Sequence, residues 1–400
     1  MTTGAQPLQF AVWGVREYAS TLCSILTGRV RTGPNVVKLQ HEFEAIYEQS
    51  MVLPVNSGRT ALRLALEVFA ARRPGPRRVL MPEYLCPSAV EVVRDLGLQP
   101  WPVKVGPDLN LDPDGLTFND DVLAVVAAHM YACPAAIGEI ERRCHAAGVF
   151  LIDDAAQVVG VRSDGRMLGS FGDAGVVSFA QSKTIVTGIR GSGGLLLINN
   201  SDLQADLLRS HAKLAPAHNR LSSFFIFLVE YLLASHLGMA SYYFTRISHT
   251  ILPSARKSPY TPALMSNLEA GIAIAQLQRL QQILTARTRV AELYAVALKE
   301  ISSVKMPQYA AGRFLSRCFV EFPEQQMASM VRRGLLDRKI STRKAYPQWS
   351  VSGGCTDGGV LGDRLVELPS RSDMTEAEVV KVAIIIRELL AIFSFGRIPH

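Results

Sequence analysis

Short apolar runs alternate with helix-like segments through the first half of the 400-residue chain. Residues 122–128 (VLAVVAA) and 149–152 (VFLI) are apolar throughout, whereas residues 61–69 and 135–147 have helical composition and periodicity. Strands that are apolar along their whole length are typical of parallel sheets covered on both faces. The alternation therefore predicts an α/β fold with a mostly parallel sheet flanked by helices.

Composition narrows the classes of protein to consider. The chain is 48% hydrophobic and 19% charged, so it can bury a large core or two domains. Its net charge of +7 is modest for this length and suits small anionic substrates; it does not indicate nucleic-acid binding. The six cysteines lack C-x-x-C spacing, and the N-terminus lacks a secretory pattern. We expect reduced thiols, no metal site and a cytoplasmic protein.

An acid pair follows the apolar run at residues 149–152. Carboxylates at the carboxyl end of a parallel strand lie where open α/β sheets bind ligands. Asp153, Asp154 and the nearby Gln157 therefore predict a site at this edge. The alternative is that one acid caps a helix opened by the two alanines that follow.

Lys183 follows a second apolar run, residues 176–179 (VVSF), and precedes a glycine-rich stretch. A lysine amine can form a Schiff base with the aldehyde of pyridoxal phosphate. A carboxylate beside the pyridine nitrogen keeps that nitrogen protonated, so that the ring can accept electrons. The order of acid pair and lysine favours such an enzyme over the alternative, a solvated surface lysine.

Residues 56–60 (NSGRT) open a helix directly after a strand. Backbone N–H groups at a helix start bind anions, and glycine allows close approach. Ser57, Gly58 and Arg59 therefore predict the cofactor phosphate site, with the Ser178 hydroxyl as a further ligand. The alternative is an ordinary helix cap by Ser57 or Thr60.

These segments together resemble the DegT/StrS-type sugar aminotransferases, which are fold type I pyridoxal phosphate enzymes. The resemblance runs from about residue 32 to the final helix. It is carried by these segments: residues 56–62, 129–135, 153–157, 169–173, 178–183, 191–194, 365–369 and 374–379. The resemblance implies a large cofactor-binding domain at residues 1–250 and a smaller C-terminal α/β domain at residues 251–400. It also implies a homodimer.

The resemblance assigns roles to particular residues. Lys183 matches the Schiff-base lysine, which also moves the proton, and Asp154 matches the acid on the pyridine nitrogen. Gln157 matches the glutamine beside the ring, and Ser57, Gly58, Arg59 and Ser178 match the phosphate site. A branch of the family that performs dehydration has histidine in place of the lysine, so Lys183 favours amino transfer.

Three features depart from the family pattern. Where the family stacks an aromatic ring on the cofactor, this chain has Cys86, so either Tyr84 takes over the stacking or the cofactor packs on a thiol. Pro262 replaces an asparagine that reaches the partner subunit's cofactor phosphate. Residues 221–246 are aromatic-rich and flanked by basic residues. We expect them to be buried in the fold or in a subunit interface, in preference to a membrane surface.

We therefore expect an aminotransferase that takes its amino group from glutamate or glutamine. The expected acceptor is a nucleotide-linked keto-sugar. The alternatives are a pyridoxal phosphate enzyme with a non-sugar or lipid-linked acceptor, and a non-catalytic homologue that only binds the cofactor.

Overall fold

The computed structural model describes residues 13–180, 183–188, 192–219, 221, 225, 261–306, 317–346, 349 and 360–395. The helices are α1 (Val15–Leu26), α2 (Asn35–Glu44), α3 (Gly58–Arg72), α4 (Pro87–Asp95), α5 (Ile137–Ala147), α6 (Gln204–Ala212), α7 (Asn267–Leu277), α8 (Leu280–Leu298), α9 (Gln325–Asp337), α10 (Val360–Arg364) and α11 (Glu376–Phe395). The strands are β1 (Met51–Val55), β2 (Arg78–Pro82), β3 (Gln99–Val103), β4 (Val122–Ala128), β5 (Phe150–Asp154), β6 (Arg162–Ser163), β7 (Arg166–Met167), β8 (Ala174–Ser178), β9 (Gly194–Ile198), β10 (Cys318–Glu321), β11 (Arg343–Lys344) and β12 (Leu365–Leu368).

Seven strands form the main sheet in the order β1-β9-β8-β5-β4-β2-β3. Strand β9 runs antiparallel to both of its neighbours, and every other neighbouring pair among β2, β3, β4, β5 and β8 is parallel. All seven residues of β4 are buried, as expected for a strand covered on both faces. The predicted mostly parallel α/β sheet is confirmed.

Helices cover both faces of this sheet. On one face, Leu64 and Leu66 of α3 pack in a core with Val126 of β4. On the other face, Ile140 of α5 packs in a second core with Val125, the preceding residue of β4. Successive residues of a strand point to opposite faces, so the uninterrupted apolar runs of the sequence supply both cores.

Proline occurs in both edge strands of the main sheet. In β3 the N–H of Gln99 bonds inward to the carbonyl of Arg77, so Pro100 and Pro102 occupy the outward positions. Outward positions of an edge strand are where a sheet tolerates a residue without an N–H group. The sequence did not predict β3, because its QPWPV pattern lacks the signature of a central strand.

The opposite edge strand, β1, is also short of free donors. The outward N–H of Val52 lies 3.4 Å from the carboxylate of Glu44, and that of Asn56 bonds the carbonyl of Ala263 at 2.9 Å. Between them stands Pro54, which has no N–H. The outward donors of β1 are therefore occupied or missing.

A separate core forms around the small antiparallel sheet, whose strand order is β10-β12-β11. It contains Phe322, Val366 and Val382. Helix α7 packs on α1 and α2 beside the main sheet, and α8 runs from the main core at Leu284 to the small core at Val290. The predicted division at residue 250 falls outside the described residues and stays a prediction, and we propose that the two cores meet along α8.

The aromatic-rich segment at residues 221–246 lies outside the described residues, except for Leu221 and Phe225. Its predicted burial stays a prediction. In the described part of the chain, no helix combines the length and apolar character needed to cross a bilayer.

We predict that Gly175→Ala strongly destabilises the fold. A Cβ atom at Gly175 in β8 would lie 1.9 Å from the carbonyl oxygen of Gly169 and 3.0 Å from Leu197. Because a backbone atom cannot yield as a flexible side chain can, we expect a loss of about 3 kcal/mol in the free energy of unfolding, measured by urea denaturation. Gly148→Ala is the control. Gly148 ends α5 at φ +61° with open space around it, so only the backbone cost of about 1 kcal/mol applies. Equal losses in the two variants would contradict the close approach at Gly175.

Candidate active site

A cavity of about 580 Å³ opens at the carboxyl ends of β1, β5 and β8, beside the N-termini of α3 and α4. This is the edge at which open α/β sheets bind ligands. The predicted site residues that line it are Ser57, Gly58, Arg59, Cys86, Asp154, Gln157, Ser178 and Lys183. The fold thus brings together Asp154, Lys183 and the Ser57–Gly58–Arg59 segment that the sequence analysis selected.

The two acids at the end of β5 have different surroundings. Asp154 lines the cavity, whereas Asp153 is fully buried behind it, because successive strand residues point in opposite directions. Residues 155–160 form turns and no helix, which excludes the alternative that one acid caps a helix. The Asp154 carboxylate instead accepts the N–H of Ala156 at 3.0 Å.

Asp153 is held by three donors. Its Oδ2 accepts the N–H groups of Gly169 at 2.6 Å and Phe171 at 3.1 Å. Its Oδ1 lies 2.6 Å from Nε2 of His129. Because His129 Nδ1 accepts the N–H of Ala135 at 3.0 Å, the ring is in its neutral tautomer and donates from Nε2. Asp153 and His129 therefore join β4, β5 and the 169–171 turn, and they leave Asp154 as the acid of the cavity.

Burial shifts the pKa values of Asp154 and Lys183. Burial raises the pKa of the Asp154 carboxyl, and the nearby Lys183 amine opposes this shift. Burial also lowers the pKa of Lys183, while Cys86 and Asp154 act to raise it and the Arg317 cation lowers it further. A lowered pKa increases the fraction of uncharged amine at neutral pH, which is the nucleophilic form.

Backbone contacts determine where Lys183 lies. Its N–H bonds the carbonyl of Ala180 at 3.1 Å, and the N–H of Thr187 returns to the carbonyl of Phe179 at 3.0 Å. The hydroxyl of Thr184 bonds the carbonyl of Gln157 at 3.3 Å. The loop after β8 is thereby tied to the segment that follows β5, which carries Asp154.

The N-terminus of α3, where the sequence predicts an anion site, borders the cavity. Ser57 is the N-cap residue, and its Oγ accepts the N–H of Thr60 at 3.3 Å. Ser57 thus caps the helix, as the alternative held, and it lines the cavity as well. A Cβ atom at Gly58 would lie 3.0 Å from the Cβ of Ser178, so the helix start directly adjoins the second predicted hydroxyl.

Tyr84 and Cys86 differ in position. Cys86 precedes α4 and lines the cavity, with its Sγ 3.2 Å from the hydroxyl of Ser88. Tyr84 is fully buried behind the wall, and its hydroxyl bonds that of Tyr131. Of the two residues considered for contact with the cofactor ring, we therefore propose Cys86.

The sequence analysis did not select two residues that complete the cavity wall. Arg343 of β11 and Tyr346 line it from the small sheet. Neither residue lies in a periodic or glycine-marked segment. Only the packing of the small sheet against the main sheet brings them to the cavity.

The lining residues fit pyridoxal phosphate group by group. The start of α3, with Ser57 and Ser178, suits the phosphate. The half-buried Asp154 carboxylate suits the protonated ring nitrogen, and the Lys183 amine suits the aldehyde. A helix start, a half-buried acid and a lysine of lowered pKa in one cavity match the three reactive parts of this cofactor.

We predict unequal effects on stability when each of the two acids is replaced. Asp153→Asn places an amide N–H₂ group against either the two backbone N–H groups or His129, so buried donors lose their acceptor. We expect a loss of about 3 kcal/mol in the free energy of unfolding of the cofactor-free protein. Asp154→Asn removes the charge of a half-buried side chain that lines the cavity, and we expect a change below about 1 kcal/mol. Urea denaturation measures both free energies of unfolding. A similar loss in the two variants would contradict the view that Asp153 supports the fold and Asp154 does not.

We predict that Lys183 is acylated at lower pH than an exposed lysine. Because its pKa is lowered, the midpoint of its labelling by acetic anhydride against pH lies below that of the exposed Lys38. Asp154→Asn lowers the midpoint further, because the carboxylate acts to raise the pKa of the amine. Peptide mass spectrometry of the cofactor-free protein measures both midpoints, and denatured protein is the control. A labelling midpoint of Lys183 at or above that of Lys38 would show that the pKa of Lys183 is not lowered.

Comparisons with known proteins agree with this site. The model of the DegT/DnrJ/EryC1/StrS aminotransferase family matches residues 16–387. The chain is 24% identical over 307 residues to GDP-perosamine synthase of Vibrio cholerae, covering 76% of this chain and 73% of the relative. It is 26% identical over 337 residues to the spore coat polysaccharide biosynthesis protein SpsC of Bacillus subtilis, covering 82% and 79%.

Solved structures share the fold. The aminotransferase TlmJ from Streptoalloteichus hindustanus is 22% identical, with a TM-score of 0.75 over 98% of this chain and 100% of its own. The E. coli GDP-4-keto-6-deoxy-D-mannose-3-dehydratase with bound hydrated PLP is 16% identical, with a TM-score of 0.76 over 96% and 99%. The chain therefore belongs to the DegT/DnrJ/EryC1/StrS aminotransferase family and is a pyridoxal phosphate-dependent aminotransferase.

Proposed function

We propose that this aminotransferase moves the amino group of glutamate or glutamine onto a nucleotide-linked keto-sugar. The observation that carries the proposal is the cavity that joins Lys183, Asp154 and the start of α3 in a member of this family. The named activity of the Vibrio relative, GDP-perosamine synthesis, supports an amino-sugar product. The cationic Arg343 at the cavity wall suits an anionic substrate.

Bound pyridoxal phosphate supplies an aldehyde and a ring that accepts electrons. The N–H groups at the start of α3 would hold its phosphate, with the hydroxyls of Ser57 and Ser178. Asp154 would keep the ring nitrogen protonated, and Gln157 and Cys86 would contact the ring.

Lys183 has two tasks in this proposal. As an uncharged amine, which its lowered pKa favours, its Nζ would hold the cofactor through the aldehyde. When not bonded to the cofactor, the same Nζ would accept a proton from one carbon and return it to another. A histidine could move the proton but could not attach the cofactor, so the lysine is what supports amino transfer.

We also propose that two copies of the chain form a homodimer and that the enzyme works in the cytoplasm. Free thiols at all five described cysteines support a reducing compartment. Exposed apolar side chains on α1 (Val15, Leu22 and Leu26) support a covered face in the assembly.

The experiment that tests the function follows the cofactor spectrum. Glutamate should convert the lysine-linked cofactor into pyridoxamine phosphate, seen as loss of the visible band. A keto-sugar should then restore that band. GDP-4-keto-6-deoxy-D-mannose and its dTDP counterpart are the acceptors to test first, with pyruvate as the non-sugar control. Restoration by pyruvate alone would overturn the sugar assignment, and no response to glutamate or glutamine would overturn the amino donor.

We predict that Lys183→Ala abolishes turnover and covalent retention of the cofactor while the protein stays folded. No other amine lines the described cavity wall, so borohydride should fix the cofactor to the wild type alone. Lys183→Arg is the matched variant, because it keeps a cation that cannot serve as the nucleophile. Cofactor fixed to either variant would show that another residue makes the bond.

We predict that Asp154→Asn lowers kcat by at least about a hundredfold, the scale of losing one strong electrostatic partner. The amide keeps the shape but cannot hold a protonated pyridine. Asp153→Asn should change kcat much less in the fraction that remains folded. The reverse order of effects would exchange the roles of the two acids.

A further inference from the structure

A buried polar cluster joins the small sheet to the cavity wall. We call it the Arg317 cluster; it consists of Tyr84, Tyr131, Arg317, Tyr346 and Glu367. The side chains of Arg317 and Glu367 are 3% and 0% exposed and form an ion pair. Of the five, only Tyr346 lines the cavity, which Lys183 and Asp154 also line.

The guanidinium of Arg317 donates hydrogen bonds to Glu367 and to Tyr346. Its Nε donates to Oε1 of Glu367 at 2.9 Å, and its Nη2 donates to the other carboxylate oxygen. Its Nη1 donates to the hydroxyl of Tyr346 at 2.9 Å. The planar guanidinium is thus clamped by Glu367 and aims one N–H at Tyr346.

These contacts determine what the Tyr346 hydroxyl can do. Arginine can only donate hydrogen bonds, so the tyrosine oxygen is the acceptor and its own proton remains to be donated. No side chain within the described ranges is seen to accept that proton. Burial raises the pKa of Tyr346 to about 12, although the Arg317 cation lowers it. The hydroxyl therefore keeps its proton across the physiological range.

The rings of the cluster restrict the orientation of Tyr346. Its ring lies 6.4 Å from that of Tyr131 at an interplanar angle of 16°, and 6.1 Å from that of Tyr84. Tyr131 in turn stacks on Phe319 of β10 at 4.2 Å. One stacked ring, one tilted ring and a charge-assisted hydrogen bond restrict the hydroxyl.

We propose that the Tyr346 hydroxyl donates a hydrogen bond to an uncharged oxygen of the acceptor sugar, and that the Arg317–Glu367 pair is its positioning device. The inference rests on the proposed function and names the residue that recognises the sugar. An uncharged donor suits a hydroxyl or carbonyl oxygen, whereas an anionic group is better matched by Arg343 beside it. Arg343 lies on the same wall, with its Nε 3.9 Å from Glu367.

The first test is Tyr346→Phe, which removes the hydroxyl and keeps the ring. With GDP-4-keto-6-deoxy-D-mannose, or the dTDP sugar if that is the one converted, we expect kcat/KM for the acceptor to fall about tenfold. The Kd of the same sugar nucleotide, measured by calorimetry, should rise by a similar factor. The rate of the glutamate half-reaction should stay within about twofold. An equal fall in both half-reactions, or no change in Kd, would overturn the inference.

The second test separates positioning from support of the fold. Removing Arg317 alone strands a buried carboxylate and can unfold the protein, whereas exchanging both partners for apolar residues of similar size is tolerated in many buried pairs. We therefore use Arg317→Met/Glu367→Met. We expect it to fold and to bind the acceptor as weakly as Tyr346→Phe. Adding Tyr346→Phe to this double variant should not weaken acceptor binding further, because Arg317 and Glu367 affect binding only through the Tyr346 hydroxyl.

The control is Arg364→Met. This variant breaks the ion pair, at 2.8 Å, between Arg364 at the end of α10 and Glu321 of β10. Arg364 does not line the cavity. The positioning role would be overturned if a folded Arg317→Met/Glu367→Met protein bound the acceptor as the wild type does. It would also be overturned if Arg364→Met weakened binding equally.

If the wild-type enzyme reacts with glutamate but converts no sugar nucleotide, the proposed function fails. Conversion by the wild type with an unaffected Tyr346→Phe defeats this inference alone.

Discussion

The site depends on the hydrogen bonds that the buried carboxylate of Asp153 accepts. A fully desolvated anion is tolerated only where donors surround it, and here two backbone N–H groups and the imidazole of His129 do so. The donors come from the end of β4 and from the 169–171 turn, so these segments are joined around the end of β5. Because strand residues alternate, this arrangement turns Asp154 toward the cavity. One acid is therefore bound within the fold, and its neighbour faces the cavity.

The parts of the protein that could be predicted from the sequence have local causes. The apolar run of β4 predicted a central strand because both of its faces are buried. Ser57 and Gly58 predicted an anion site because a helix start exposes its own N–H groups. The resemblance selected Asp154 over Asp153, and the geometry gives a reason for that choice.

Other features could not be predicted because their causes are not local. The antiparallel direction of β9 depends on which strands flank it in the sheet. Tyr346 reaches the cavity through the clamp of Arg317 by Glu367, which lies 50 residues away along the chain. No spacing rule connects these residues. The site thus has two layers: one is encoded in strand ends, and the other depends on how the small sheet packs against the main sheet.

The prolines of the edge strands have a consequence for how copies of the chain can associate. A sheet grows by strand addition only where the newcomer finds outward N–H groups and carbonyls together. Along β3 the outward positions are Pro100 and Pro102, and along β1 the outward donors are occupied or absent. Neither edge can template a further strand. A second copy therefore finds no row of outward N–H groups along β1 or β3 through which to extend the main sheet.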